Sequence, residues 1–248
     1  MDDVKLLFSK IADLSRLCLK NCYPAFSKFM DETSLARVSK VKEAGCTYVP
    51  FGGYEDAERK IMGCFPDGYY DEDAYNLMFP LCTLKLLPSD TEGLTHRDYL
   101  GSLMGLGIAR ECIGDIVLFP EGAYVICLED IKDFILSNLD RIGRKSVKIE
   151  LCENETVPGK TLLRKSVTAA SDRLDCIVAQ VSACSRNKVD ELIREGKIQV
   201  NYLQADSTSK KLKPGDVVSV RGFGKFIYVG VSGETKKGRL KIEYDLYN

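Results

Sequence analysis

Residues 171–201 read SDRLDCIVAQVSACSRNKVDELIREGKIQVN, which predicts two short helices followed by a strand. Asp172 is placed to cap the first helix, and Asp175 falls in its first turn, where a negative charge suits the helix dipole. Leu174, Ile177, Val178 and Val181 follow at i, i+3, i+4 and i+7, one apolar stripe. Ser185 is the expected cap of the second helix, with Val189, Leu192 and Ile193 as its buried face. Gly196 is its expected C′ residue, and Lys197 to Val200 alternates as a strand does. Asn201 opens a turn.

The residues that packing does not need here are largely basic: Arg173, Arg186, Lys188, Arg194 and Lys197. On pattern alone, a charged face on a small helical pair reads equally well as a solvated face. The order RLD, then SR, then LI-x-x-G-K-I-x-V-N resembles the S4-type RNA-binding domain, and the later PGDVVSVRGFGKF is similar to that domain's closing strand. The resemblance covers about residues 165–233. It implies RNA contact by Arg173, by the Ser185, Arg186, Asn187 and Lys188 run, and by Arg194, Lys197 and Asn201. It extends the contact to Lys210, Lys211, Arg221 and Lys225. Asp175 belongs to the same set, with a structural role beside Arg173. The Ser185 turn joins free helix amides to two cations, a place for a phosphate. Arg186 is expected to be a surface residue whose loss leaves the fold intact.

The 248 residues carry a formal net charge of −1. This hides an asymmetry: residues 164–248 hold 16 Lys+Arg against 10 Asp+Glu, net +6, and residues 1–163 hold 19 against 26, net −7. A basic module on an acidic body suits one directed nucleic-acid face. The 10 cysteines are scattered without a C-x-x-C, and His96 is the one histidine, so reduced thiols without a metal are expected. Asp2 and Asp3 do not suit a signal peptide, and no apolar run reaches the roughly 18 residues of a membrane span. A cytoplasmic monomer is expected.

The fold class expected is α+β. Residues 1–74 are a helical and mixed region. A stripe of Val4, Leu7, Phe8, Ile11, Leu14 and Leu17 runs until Pro24, and Phe26, Phe29 and Met30 are placed to continue it. Residues 75–152 order as strand (76–87), helix (95–106), two strands around Pro120-Glu121-Gly122, helix (129–139) and strand (146–151). That is the ferredoxin-like βαββαβ order shared by RRM domains, here without their aromatic RNP1 pattern. The 95–106 helix is opened by Thr95 and Asp98 and expected to bury Leu100, Leu103 and Met104. Ile131, Phe134 and Ile135 are the expected inner face of the next. Residues 153–163 read as a linker, and 164–248 as the S4-type αL domain with a polar loop (232–238) and a closing strand (240–244).

FGGYEDAERK (51–60) and HRDYLGSLMGLGIARECIGDI (96–116), taken with the C-terminal module, resemble the YlmH family over nearly the whole chain. That resemblance implies a non-enzymatic protein docking on structured RNA of the large ribosomal subunit, with transfer RNA a further candidate partner and no membrane role. Gene neighbourhood in that family raises a cell-division interaction protein as one alternative. An RNA-modifying enzyme with an S4-type delivery domain is another. Pseudouridine synthases use the Asp of RLD-x-x-T-S-G as nucleophile, but here Cys176 and Ile177 follow Asp175 and no T-S-G appears. His96 reads as a helix-start residue. The body shows no nucleophile motif and no cofactor-binding glycine fingerprint. Arg110 with Gly114-Asp115 reads equally as a second RNA contact and as carboxylate–backbone bracing.

Overall fold

The apolar face of the N-terminal helix α1 (Asp2–Asn21) is rotated from the one the spacing suggests. In this computed structural model Ile11 and Cys18 are buried with Leu7 and Leu14 beside them, while Phe8 and Leu17 lie exposed. The reason is the partner: α1 packs on a small antiparallel sheet ordered β1 (Ala25–Phe26), β3 (Ile61–Pro66), β2 (Cys46–Phe51). Phe26, placed by sequence on a helical stripe, is therefore a strand residue, and helix α2 (Glu32–Val38) starts afresh at Asp31, whose carboxylate accepts the Ser34 amide at 2.7 Å. The structure describes residues 2–39, 41, 44–68, 72–152, 156–160 and 162–247, in two compact units, Met1–Gly159 and Lys160–Asn248.

Beyond the small sheet, the first unit holds β4 (Leu81–Pro88), α3 (His96–Gly105), β5 (Ile113–Phe119), β6 (Gly122–Leu128), α4 (Lys132–Asn138), β7 (Arg141–Ile142) and β8 (Lys145–Leu151). The sheet order is β5-β6-β4-β8-β7, every neighbour antiparallel. Strand β6 is buried at every position because both its faces are covered: Val125 and Cys127 enter one core, Ile126 and Leu128 another. The strand expected from Asn76 begins only at Leu81. Glu72–Met78 is a 3-10 helix instead, since Tyr75 and Phe79 join an aromatic cluster around Phe65, with ring centroids 4.3 and 5.9 Å away. On α3 the buried residues are Tyr99 and Leu103, and Met104 is exposed; on α4 Ile135 is buried and Phe134 exposed. The Asp98 carboxylate accepts the Thr95 amide at 2.8 Å and its hydroxyl at 2.7 Å, the bonds that open α3.

The second unit is a six-stranded antiparallel sheet carrying two helices. Its elements are β9 (Leu162–Ala169), α5 (Leu174–Val181), α6 (Arg186–Arg194), β10 (Ile198–Val200), β11 (Leu203–Gln204), β12 (Val217–Val220), β13 (Gly224–Glu234) and β14 (Leu240–Tyr247). The sheet runs β11-β10-β12-β13-β14-β9. Leu174, Ile177, Val178 and Val181 form one core with Val189, Ile193, Val218, Phe226 and Ile242. Each such fully buried aliphatic contributes about 1.5–3 kcal/mol.

Strand β9 starts inside the stretch read as a linker, pairing with β14 from Leu162↔Tyr247 to Ala169↔Leu240. Its side chains are mostly exposed, so no apolar alternation announces it. Glu153, Asn154, Glu155 and Thr161 of that stretch lie outside the described residues. Strand β13 likewise extends into the expected polar loop, and β14 runs on to Tyr247. Among the described residues no helix is long and apolar enough to cross a membrane.

Candidate nucleic-acid interface

The site is built around Asp175, a carboxylate whose side chain is 7% exposed. Arg173 lies two residues before it, and Arg186 arrives from the start of α6. Arg173 donates through Nε at 3.0 Å and Nη2 at 3.3 Å; Arg186 donates through Nε at 3.0 Å and through Nη2. Burial pushes the Asp175 carboxyl up, but the hydrogen bonds from Arg186 and Arg173, with their charges, outweigh it and hold the group below the ordinary carboxylate range. The Arg186 guanidinium is raised in turn by the same bond.

Both guanidinium groups grip the carboxylate through one edge and remain partly exposed, 39% for Arg173 and 54% for Arg186. A guanidinium has five donors, so each keeps N–H groups beyond those it gives to the carboxylate, donors of the kind a phosphate oxygen accepts. Arg186 is thus at the surface, as expected, and is also half of a tie between the two helices, a contact that the sequence reading did not include.

The N-cap of α5 is Arg173, not Asp172. The Asp172 carboxylate is drawn instead to Lys211 at 3.3 Å, and its carbonyl accepts the Leu212 amide at 3.3 Å. Residues 208–212 close this end of the helix: the amides of Leu174 and Asp175 donate to the carbonyls of Lys210 (2.8 Å) and Thr208 (3.1 Å), and Arg173 pairs with Lys211 as an isolated bridge. The first two amides of α5 are therefore taken by the backbone, and this closure pairs Lys211 with Arg173 along the chain.

Helix α6 follows its sequence closely. Ser185 caps it, accepting the Lys188 amide at 3.2 Å. At the other end the Gly196 amide donates to Ile193 and the Lys197 amide to Leu192, with φ of Gly196 at +68°, the Schellman arrangement. The remaining cations of α6 and its exit are paired: Lys188 with Glu191 (2.8 Å), Arg194 with Asp190 (3.4 Å) and Lys197 with Glu195 (2.6 Å). Asn187 and Arg194 line a shallow groove of about 300 Å³ with Asp190, Glu191 and Glu195, an acidic lining that does not suit a phosphate chain.

A second group gathers away from Asp175. The Arg221 amide donates to the Lys197 carbonyl at 2.9 Å. Asn201 and Tyr202 both have positive φ and form the tight turn between β10 and β11. The Asn201 side chain is used at both ends, donating to Asp216 at 2.8 Å and accepting the Val217 amide at 2.9 Å, so its role is to brace β12. Pro214 and Gly215 make the expected turn, with φ of Gly215 at +91° and the Asp216 amide on the Lys213 carbonyl.

Lys225 lies over two rings, 5.0 Å from Tyr202 and 5.4 Å from Tyr247, and Lys160 is 5.3 Å from Tyr247. Sequence reasoning found Lys225 and missed the tyrosines. The cross-strand neighbours Phe226↔Leu246 put Lys225 beside Tyr247, a pairing that no local pattern contains.

In the first unit, Asp115 is a bracing carboxylate. It accepts the Tyr54 hydroxyl at 2.9 Å and the amides of Glu58 (2.6 Å) and Arg59 (3.0 Å). Arg59 and Arg110 spend their donors on backbone carbonyls, including Phe29 at 3.3 Å and Gly114 at 3.1 Å. Desolvation lowers both guanidinium groups. Of the two readings of Arg110 and Asp115, these contacts are those of bracing.

Comparison with known proteins adds three findings. Residues 78–156 match the family model described as "Putative RNA-binding domain in YlmH", and residues 172–218 match the S4 domain model. The chain is 27% identical over 249 residues to the ribosome-associated protein quality control protein P2 of Bacillus subtilis (strain 168), covering 98% of this chain and 95% of that protein. A solved structure, the cell division protein ylmH from Streptococcus pneumoniae, superposes with a TM-score of 0.52 at 18% identity, covering 60% of this chain and 91% of that one; it speaks to the fold alone.

Proposed function

We propose that this chain, with its matches to the YlmH RNA-binding and S4 domain models, binds structured RNA through its C-terminal unit and docks on ribosomal RNA of the large subunit, in ribosome-associated quality control. The observation that carries this reading is the Asp175 tie. One buried carboxylate holds one edge of Arg173 and of Arg186, and the backbone of Lys210 and Lys211 pairs with the start of the same helix. Such a cluster recognises backbone phosphates and helical shape more than base sequence.

We read the chain as a binding protein and not as an enzyme. Asp175 is 5% exposed and enclosed by two guanidinium groups, which suits a structural ion and not a nucleophile that must reach a base. The middle sheet is read as the ferredoxin-like arrangement, supported by β4 lying between β6 and β8 with antiparallel neighbours throughout. The protein acts in this reading as a cytoplasmic monomer.

The test is binding of the purified chain to isolated large and small subunits across a salt series. With four phosphate contacts the logarithmic slope is about −3.6, so affinity for the large subunit falls about 150-fold between 50 and 200 mM salt. Equal affinity for both subunits, or binding indifferent to salt, overturns the proposal.

A further inference from the structure

Three thiols far apart in sequence meet in the first unit. Cys18 comes from α1, Cys46 from the start of β2 and Cys64 from β3, and their sulfurs all lie within 4.8 Å of one another. The strand register explains the meeting. Cys46 pairs with Pro66 and Tyr48 pairs with Cys64, so Cys46 and Cys64 occupy diagonal positions on one face of the sheet. Helix α1 packs across that sheet, and fully buried Cys18 completes the triangle. Leu14, Ala25 and Tyr48 wall the cluster.

The geometry points to a thiolate site for a thiophilic d10 cation, Zn2+ foremost, that clamps α1 to the β2–β3 pair. Zinc–sulfur bonds of about 2.3 Å put the sulfurs of such a site roughly 3.8–4.0 Å apart, a spacing this triangle admits with little movement. Thiolate ligands select soft ions over Mg2+ and Ca2+. Each S–H proton passes to solvent as its sulfur–metal bond forms, so one Zn2+ displaces three protons and leaves a site of net charge −1.

Burial raises the Cys18 thiol to about 11 and raises Cys64 as well. A backbone hydrogen bond from Ala25 to Cys18 lowers that thiol in opposition, the sense of support a metal-bound sulfur needs. Among the described residues no fourth acidic, histidine or cysteine ligand joins the three, so a fourth ligand has to come from solution.

The experiment uses the full chain, purified under reductant without oxygen, stripped with chelator and reloaded with Zn2+ or Co2+. One ion per chain is expected after desalting, three protons are released per ion, and the Co2+ form shows intense sulfur-to-cobalt charge-transfer absorption. Loss of a supporting group around a metal ligand typically costs 10–100-fold in affinity, so Cys46→Ala, which removes a ligand, should weaken Zn2+ by at least about 100-fold in chelator competition. Cys18→Ser and Cys64→Ser should act alike, and Cys22→Ser, exposed in the turn just after that helix, should bind as wild type does. No retained ion, a cobalt spectrum without charge transfer, or a folded Cys46→Ala that binds as wild type overturns the site. The wild-type cobalt spectrum decides even where a buried variant fails to fold.

Discussion

Replacing Arg186 with alanine removes the only link from α6 to the Asp175 carboxylate among the described contacts. Two charge-assisted hydrogen bonds are lost, and Arg173 is left as the sole partner of a side chain that is 7% exposed. Hydrogen bonds to a charged group contribute about 1.5–3 kcal/mol, and water entering from the exposed Arg186 side offsets part of this, so leaving the buried Asp175 carboxylate short of donors costs about 1–2 kcal/mol. For a unit the size of residues 160–248, each kcal/mol moves the melting temperature by about 4–8 °C, so a fall of roughly 5–15 °C is expected. Circular dichroism melts of the full chain read it, with hydrogen exchange at the Ile177 amide reporting the first turn of α5. Arg186→Lys separates the two duties of the residue. A lysine keeps the charge but cannot fork, so Tm should fall nearly as far while the salt slope of RNA binding stays. Arg186→Ala should lower that slope by about 0.9. A double-mutant cycle with Asp175→Ala should return a coupling of about 1–2 kcal/mol. If Arg186→Ala melts with wild type and the coupling is near zero, the tie is not what joins the helices.

Acid should act through the same carboxylate. Its folded pKa is depressed, so its contribution is fully present above the unfolded value of about 3.9 and is lost as pH falls through the lower folded value. Asp175→Asn should remove that acid-side slope while leaving the slope above pH 5 unchanged, measured as urea midpoint against pH. Gly196→Ala should cost about 1–2 kcal/mol, because alanine is strained at φ +68° and its Cβ would meet the Gln204 amide nitrogen at 2.5 Å; a neutral urea titration would contradict this. Asp115→Ala should strip partners from Tyr54 and the amides of Glu58 and Arg59, lowering the stability of the first unit by about 2–3 kcal/mol without changing RNA affinity. Calorimetry with an RNA titration checks both halves.

The parts of this protein legible in its sequence are those made by residues within about four positions of each other. The Ser185 cap, the Gly196 C-cap, the Thr95–Asp98 helix start and the apolar stripe of Leu174 to Val181 are all of this kind. Each closes a short loop of chain, so the residue type at one position nearly dictates the conformation at the next. The basic cluster of the S4-type module was legible as a set of residues, but not as an arrangement.

What the tertiary structure alone decided are contacts between groups tens of residues apart. Asp172 would cap α5 on local grounds, but Lys211 and the Leu212 amide claim it, and Arg173 takes the cap. Asn76 would begin a strand, but the aromatic cluster around Phe65 makes Glu72–Met78 a 3-10 helix. Strand β9 exists because β14 pairs with it, and Cys18, Cys46 and Cys64 meet because the β2–β3 register and α1 bring them to one face. A hydrogen bond or a sulfur contact between distant residues leaves no periodicity in the chain. Its free energy is realised only once packing has met the entropy of closing the loop between them.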